Sequence, residues 1–383
     1  MQYELDKKIL SYLEENNEAT ISLIETISKI PAPSGKEEKR AEFVKNWLTE
    51  NGAEGVYIDS ALNVIYPVGC EGKDDIVVFM AHTDVVFPDL TELPFSKDDE
   101  FLYAPGVGDD TSALAILMMV AKYVAQNKLV APRGILFVAN SCEEGLGNLK
   151  GNKQIMKDFS GRIAEVYTFD GKYDTLVNKC VGSHRYEIIF ETEGGHSFGA
   201  FGNRNAIAAM SEFITNLYKC EVPHKDDSKT TYNVGIVEGG TSVNTIAQST
   251  KMLYEYRSDD KECLAKMQQF FNEQVELMKK TGKAEMTVNL LGDRPCGGEV
   301  DQEVHSRMTE LGIKVSEKHS GMKCKIKSGS TDCNIPMSLG IPAVCVGSWI
   351  GYGTHTREEK VLISSIPVGL KITAEIILTY FQK

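Results

Sequence analysis

Apolar residues follow two rhythms along the chain. At the start Leu5, Ile9, Leu10 and Leu13, then Ile21, Ile24 and Ile27, recur three or four positions apart and predict amphipathic helices. Pro31-Ala32-Pro33-Ser34-Gly35 interrupts them, and a further amphipathic stretch covers residues 41–48. Beyond it the rhythm shifts to short, continuous apolar runs of strand length at 63–67, 76–81, 134–139 and 166–169, with a helical stretch at 112–126. Strands alternating with helices in this way predict an α/β sheet covered by helices on both faces.

After Lys179 the texture changes. Strand-like runs at 183–191, 232–238, 251–256 and 284–290, with helical stretches at 205–218 and 261–280, spell the order βαββαβ of a compact two-layer, ferredoxin-like unit. Helix and strand then resume at 304–311, 324–327 and 341–346, ending in a helix at about 367–381. The simplest account is a discontinuous larger domain, 1–180 with 294–383, into which a smaller domain, 181–293, is inserted. The expected fold is α/β, a mixed-sheet layered domain carrying an inserted βαββαβ domain.

Composition narrows the function classes. The 383 residues are 42% hydrophobic and 25% charged, enough for two hydrophobic cores. A formal charge of -13, with a pI near 5.2 and no basic stretch, argues against a nucleic-acid or anionic-membrane partner. Nine cysteines, odd in number and never paired as CxxC, suit reduced thiols. The charged opening segment lacks the apolar run of a secretion signal, and no stretch approaches a membrane span. A cytoplasmic protein is expected.

Five segments place metal-type residues at the ends of apolar runs or in glycine-rich turns: His82-Thr83-Asp84, Asp109-Asp110, Glu143-Glu144, Asp170 and His355. His82 closes a buried run, where open α/β sheets bind ligands. Extended backbone there would point Asp84 to the same side, able to accept the imidazole's second proton and orient the ring. A single acid before a helix is an ordinary N-cap, but Asp109 and Asp110 together in a tight turn suit a carboxylate shared by two cations. Adjacent acids at a strand end diverge, so one of Glu143 and Glu144 can bind a metal while the other moves protons. Each segment alone has a plain structural explanation; imidazoles and carboxylates at successive strand ends form a set that Zn²⁺ accepts. Cys142 and Cys333 have the residue type for a cysteine hydrolase, but neither has a histidine nearby in sequence.

Taken in order, HTD, GDD, EEG, FDG, GGH, STD and the late histidine resemble the di-zinc peptidase and amidohydrolase family that includes peptidase T, glutamate carboxypeptidase, acetylornithine deacetylase and succinyl-diaminopimelate desuccinylase. The resemblance spans nearly the whole chain. It implies that His82, Asp109 and Asp170 hold one zinc and Asp109, Glu144 and His355 the other, with Co²⁺ or Mn²⁺ as substitutes, and that the Asp109-Asp110 peptide is cis. It implies Glu143 as general base and Asp84 as the residue that orients His82. His196, in the inserted domain, would stabilise the oxyanion, within its own subunit or across a homodimer formed through that domain. Asn244 and Arg257, with Ser330 and Thr331 of the 328–332 loop, would contact substrate. An Asp at position 170 is more similar to the peptidase T-like members. Two features depart from the family pattern: no proline occurs between His196 and Asn205, and glycines surround the position before Asp109 where basic residues are usual.

The resemblance implies hydrolysis of an amide bond in short peptides, as an aminopeptidase or dipeptidase. An N-acyl amino acid deacylase or carboxypeptidase of the same fold is the nearest rival. A binding or scaffold protein that keeps the fold without the chemistry is the rival from another class.

Overall fold

A computed structural model describes residues 4–382 and divides them into two compact units, 4–179 with 298–382, and 180–297. In the first, eight strands form one mixed sheet in the spatial order Tyr57–Ile58, Val64–Val68, Gly134–Asn140, Ile76–His82, Ile163–Phe169, Ala343–Val346, Thr175–Cys180 and Lys325–Gly329. Its centre is parallel: Gly134–Asn140, Ile76–His82, Ile163–Phe169 and Ala343–Val346 run side by side in one direction. Ile76–His82 and Gly134–Asn140 are buried at every position, which explains why they read as unbroken apolar runs.

The register aligns the carboxyl ends of the parallel strands. His82 stands opposite Asn140, Met80 opposite Thr168, and Phe169 opposite Val346. Side chains at or just after those ends therefore share one edge of the sheet. Behind them, the Phe79 ring contacts those of Phe137, Tyr167, Phe169 and Tyr380, and the buried helix Ala113–Gln126 packs against the closing helix Ile366–Thr379. Three helices open the chain, Lys7–Glu15, Asn17–Lys29 and Glu38–Glu50.

A small antiparallel sheet in the same unit, ordered Gly351–Tyr352, Lys360–Leu362, Phe101–Tyr103 and Ser96–Lys97, was not predicted from the sequence. Strands of two or three residues are too short to show periodicity. This sheet brings the loop 353–359 beside the turn that follows Tyr103.

The second unit is a four-stranded antiparallel sheet, Thr230–Gly239, Ser249–Ser258, Gly182–Glu191 and Glu285–Arg294, with helices Ala206–Leu217 and Lys261–Lys280. Chain order is βαββαβ, and an apolar core of its own includes Phe190, Phe213, Met252 and Phe271. A two-residue ribbon joins Gly195–His196 to Thr245–Ile246. Among the described residues no helix is long and apolar enough to cross a membrane, and the nine cysteines are free thiols.

Candidate metal centre

The parallel strand ends and the small sheet bring the five predicted ligands together. His82, Asp109 and Asp170 offer ligand atoms all within 4.8 Å of one another, and so do Asp109, Glu144 and His355. Asp109 belongs to both groups. One of its oxygens, Oδ1, lies 3.0 Å from His82 Nε2; the other, Oδ2, lies 3.1 Å from His355 Nε2. His355 Nε2 also stands 3.0 Å from Glu144 Oε1. Glu143 is within the same distance limit of His82 and Glu144.

The electrostatics are those of crowded anions beside imidazoles. Burial and the charge of Asp109 push Asp170 up to about 7, and the same two causes raise Glu144. Burial would also raise Asp109, but hydrogen bonds from His355 and His82 outweigh it and hold the carboxyl well below its ordinary range. Those contacts reach back to the rings. Hydrogen bonds with Asp109 and Glu144 lift His355 to about 10, and for His82 the bonds to Asp109 and Asp84 overcome a burial that would lower it. Three carboxylates and two imidazoles brought together, with one carboxylate common to both groups, fit a pair of divalent cations held by oxygen and nitrogen.

Asp109 sits in the wide turn Val107–Ser112, outside helical dihedrals at φ -97° and ψ 94°, and its peptide to Asp110 is cis. Asp110 faces inward: its Oδ2 accepts from the main-chain N–H of His82 at 3.1 Å, and burial with the nearby Asp170 charge raises its pKa well above the usual value. Asp84 behaves differently from the sequence expectation. His82 Nδ1 meets the main-chain carbonyl of Asp84 at 3.0 Å, and the Asp84 carboxylate only at 3.5 Å. That carboxylate instead accepts from the main-chain N–H of Glu143 and Glu144, each at 2.9 Å, and from the Ser34 hydroxyl at 2.6 Å. Asp84 thus sets the direction in which both adjacent acids leave the strand.

Ser330 and Thr331 lie beyond the edge strand Lys325–Gly329 in the same unit. Thr331 is buried, its N–H donating to Asn334 Oδ1 at 2.9 Å and its Oγ1 accepting from the Cys333 N–H at 3.2 Å. The adjacent Asp332, also buried, accepts from Asn140 Nδ2 at 2.6 Å and so links this loop to the strand that precedes Glu143.

In the second unit His196 and Asn244 are neighbours. The Ser197 N–H donates to the Asn244 carbonyl at 2.9 Å, continuing the ribbon in which His196 pairs with Thr245. His196 Nδ1 accepts from the main-chain N–H of Phe198 and Gly199, both at 3.3 Å, which leaves the proton of the neutral ring on Nε2. Arg257 stands apart: its guanidinium grips Glu255 with two bonds of 2.9 Å.

Several residues escaped the sequence reading. Arg40, fully buried, donates to the carbonyls of Ile27, Ile30 and Thr83, and burial brings it down to about 10 against the pull of Asp84 and Glu37. Glu37 accepts from the N–H of Gly35 and of Cys142. Glu359 accepts from three main-chain amides of the Asp109 turn, and burial together with the Asp109 charge pushes it up to about 8. The bonds that tie them to the site run to main-chain groups distant in sequence, Thr83 for Arg40, Cys142 for Glu37 and the Asp109 turn for Glu359, which no local motif reveals.

The family model described as Peptidase family M20/M25/M40 matches residues 78–379. The chain belongs to that family. It is similar to a succinyl-diaminopimelate desuccinylase from Corynebacterium glutamicum, 23% identical over 359 residues that cover 90% of this chain and 92% of the relative. Among solved structures it resembles a tripeptidase from Staphylococcus aureus, with a TM-score of 0.76 and 21% identity over 96% of this chain and 99% of that one. It also resembles a dipeptidase from Saccharomyces cerevisiae, with a TM-score of 0.75 and 16% identity over 98% of both chains. The protein is a metallohydrolase of amide bonds on the fold those enzymes share, in a family whose members include dinuclear metal-binding peptidases.

Proposed function

We propose that the protein is a two-zinc aminopeptidase or dipeptidase acting on short peptides. The observation that carries this reading is Asp109, whose two oxygens face different histidines while Asp170 and Glu144 complete one group each. His82, Asp109 and Asp170 would hold one cation; Asp109, Glu144 and His355 the other. Such a pair, when bound, polarises an amide carbonyl and brings the pKa of a coordinated water toward ~7.

The chain's own groups handle the protons. Glu143, directed by the bond from its N–H to Asp84, takes a proton from the attacking water and delivers it to the leaving amine. His196 presents Nε2–H as a donor to the developing oxyanion, because its Nδ1 is already engaged by two amides. Asn244, beside it, is proposed as a substrate contact, with Ser330 and Thr331 lining the pocket. Arg257, engaged by Glu255, fits a structural role better than substrate contact. A homodimer formed through the second unit and a cytoplasmic location, in keeping with nine free thiols, complete the proposal.

The test is Glu143→Ala. Turnover should fall by at least about 10²-fold while elemental analysis still finds two ions per chain; turnover close to wild type would refute the assignment. A second reading, an N-acyl amino acid deacylase, draws on the similarity to the desuccinylase. Mass spectrometry of products from a panel of di- and tripeptides and N-acyl amino acids separates the two.

A further inference from the structure

Glu359 lies four residues after His355 in the loop 353–359, with only 1% of its surface exposed. Its Oε2 accepts from the Gly106 N–H at 2.9 Å, and its Oε1 from those of Gly108 and Asp109 at 3.0 and 2.9 Å. Three donors from one turn on one buried carboxylate define the turn's position relative to the loop. The fit is close: a Cβ on Gly108 would stand 2.8 Å from Glu359 Oε1 and 2.9 Å from the Trp349 ring. The two segments joined in this way carry Asp109 and His355, two of the three ligands in one cation group.

We propose that Glu359 is a positioning residue that ties the His355 loop to the Asp109 turn and thereby sets the affinity of the Asp109, Glu144 and His355 position. This rests on the reading of these side chains as ligands of two cations. Moving the loop against the turn changes the Asp109 to His355 spacing directly. The His82, Asp109 and Asp170 position takes its other two ligands from the end of one sheet strand and the residue just after another, and is affected less.

The experiment is equilibrium dialysis of wild type, Glu359→Ala and Glu359→Gln against buffered free Zn²⁺, with ions per chain read by elemental analysis and folding by circular dichroism. Where wild type holds two ions, Glu359→Ala should hold one, its affinity for the second down by about 10- to 100-fold. Glu359→Gln keeps the oxygen that serves Gly108 and Asp109 but turns an amide N–H₂ toward Gly106, so a smaller loss is expected; it also serves if the alanine variant does not fold. Glu359→Ala added to His355→Ala should remove no further ion, whereas added to Asp170→Ala it should remove the one that remains. Wild-type affinity for both ions in the variants, or equal weakening of both, overturns the proposal. A wild-type chain that binds no divalent ion overturns the reading of the centre as well, so the two failures are told apart by the wild-type result.

Discussion

At Asp84 a fully buried carboxylate meets three donors, the N–H groups of Glu143 and Glu144 and the Ser34 hydroxyl. Burial favours its neutral form, but the His82 imidazole 3.5 Å away and the bonds from Ser34 and Glu144 prevail and hold its pKa below the usual value, so the group is ionised at neutral pH. Asp84→Asn replaces one acceptor oxygen by an N–H₂ that must face a main-chain N–H, turning an attraction into a clash of donors. Because those amides belong to the two adjacent acids, the error is passed to their carboxylates. Steady-state kinetics at saturating zinc should show kcat reduced about 10- to 100-fold, with folding retained; a kcat within twofold of wild type would remove Asp84 from the machinery. Residues of this kind divide sharply in how well they read from sequence. His82, Glu144 and Asp170 stand out in the sequence because each ends or follows an apolar run, and the structure brings their side chains together around Asp109. Glu359 was not, since its partner Gly106 is 253 positions away.

Among the elements, the closing helix Ile366–Thr379 carries one carboxylate, Glu375, on its mostly apolar buried face. It accepts from Lys318 Nζ at 2.9 and 3.0 Å and from His319 Nε2 at 2.6 Å, both in the last turn of the helix Gln302–Ser320. The Lys318 ammonium there also complements the negative end of that helix. Burial pushes Glu375 upward, but the hydrogen bonds to His319 and Lys318 outweigh it, and the pKa is lowered on folding. A depressed carboxylate stabilises the fold fully above its unfolded pKa of about 4.3 and loses that contribution as the pH falls through the lower folded value. Glu375→Gln should therefore cost about 1–3 kcal/mol at pH 7, and thermal melts should show the gap from wild type narrowing below about pH 4; a gap that widens in acid would contradict the account. The long buried strands and this helix were legible because burial writes itself as apolar runs. The small sheet around Phe101–Tyr103 and Lys360–Leu362 was not, because tertiary pairing rather than local pattern makes those strands.

For the whole molecule, chain order predicts a discontinuous architecture, because the βαββαβ run interrupts an alternation that resumes afterwards, and the structure separates residues 180–297 where the sequence suggested 181–293. It also divides the proposed chemistry: the cation ligands and Glu143 belong to one unit, His196 to the other. Which copy of the chain supplies His196 to a given centre can be decided by complementation. His196→Ala removes the proposed oxyanion donor and should lower kcat by about 10²- to 10³-fold with zinc content unchanged, while Glu143→Ala removes the proton carrier. Each variant alone should be nearly inactive. If His196 acts across a two-fold dimer, subunits of the two variants mixed in equal amounts and allowed to exchange form hybrids in which one centre combines an intact Glu143 with an intact His196. Half the dimers are then hybrids with one working centre in two, and activity should return to about a quarter of wild type. If His196 serves its own subunit, every centre in the mixture lacks one of the two groups. The mixture then stays at the level of the separate variants, and sedimentation of the same sample confirms that hybrids had the chance to form.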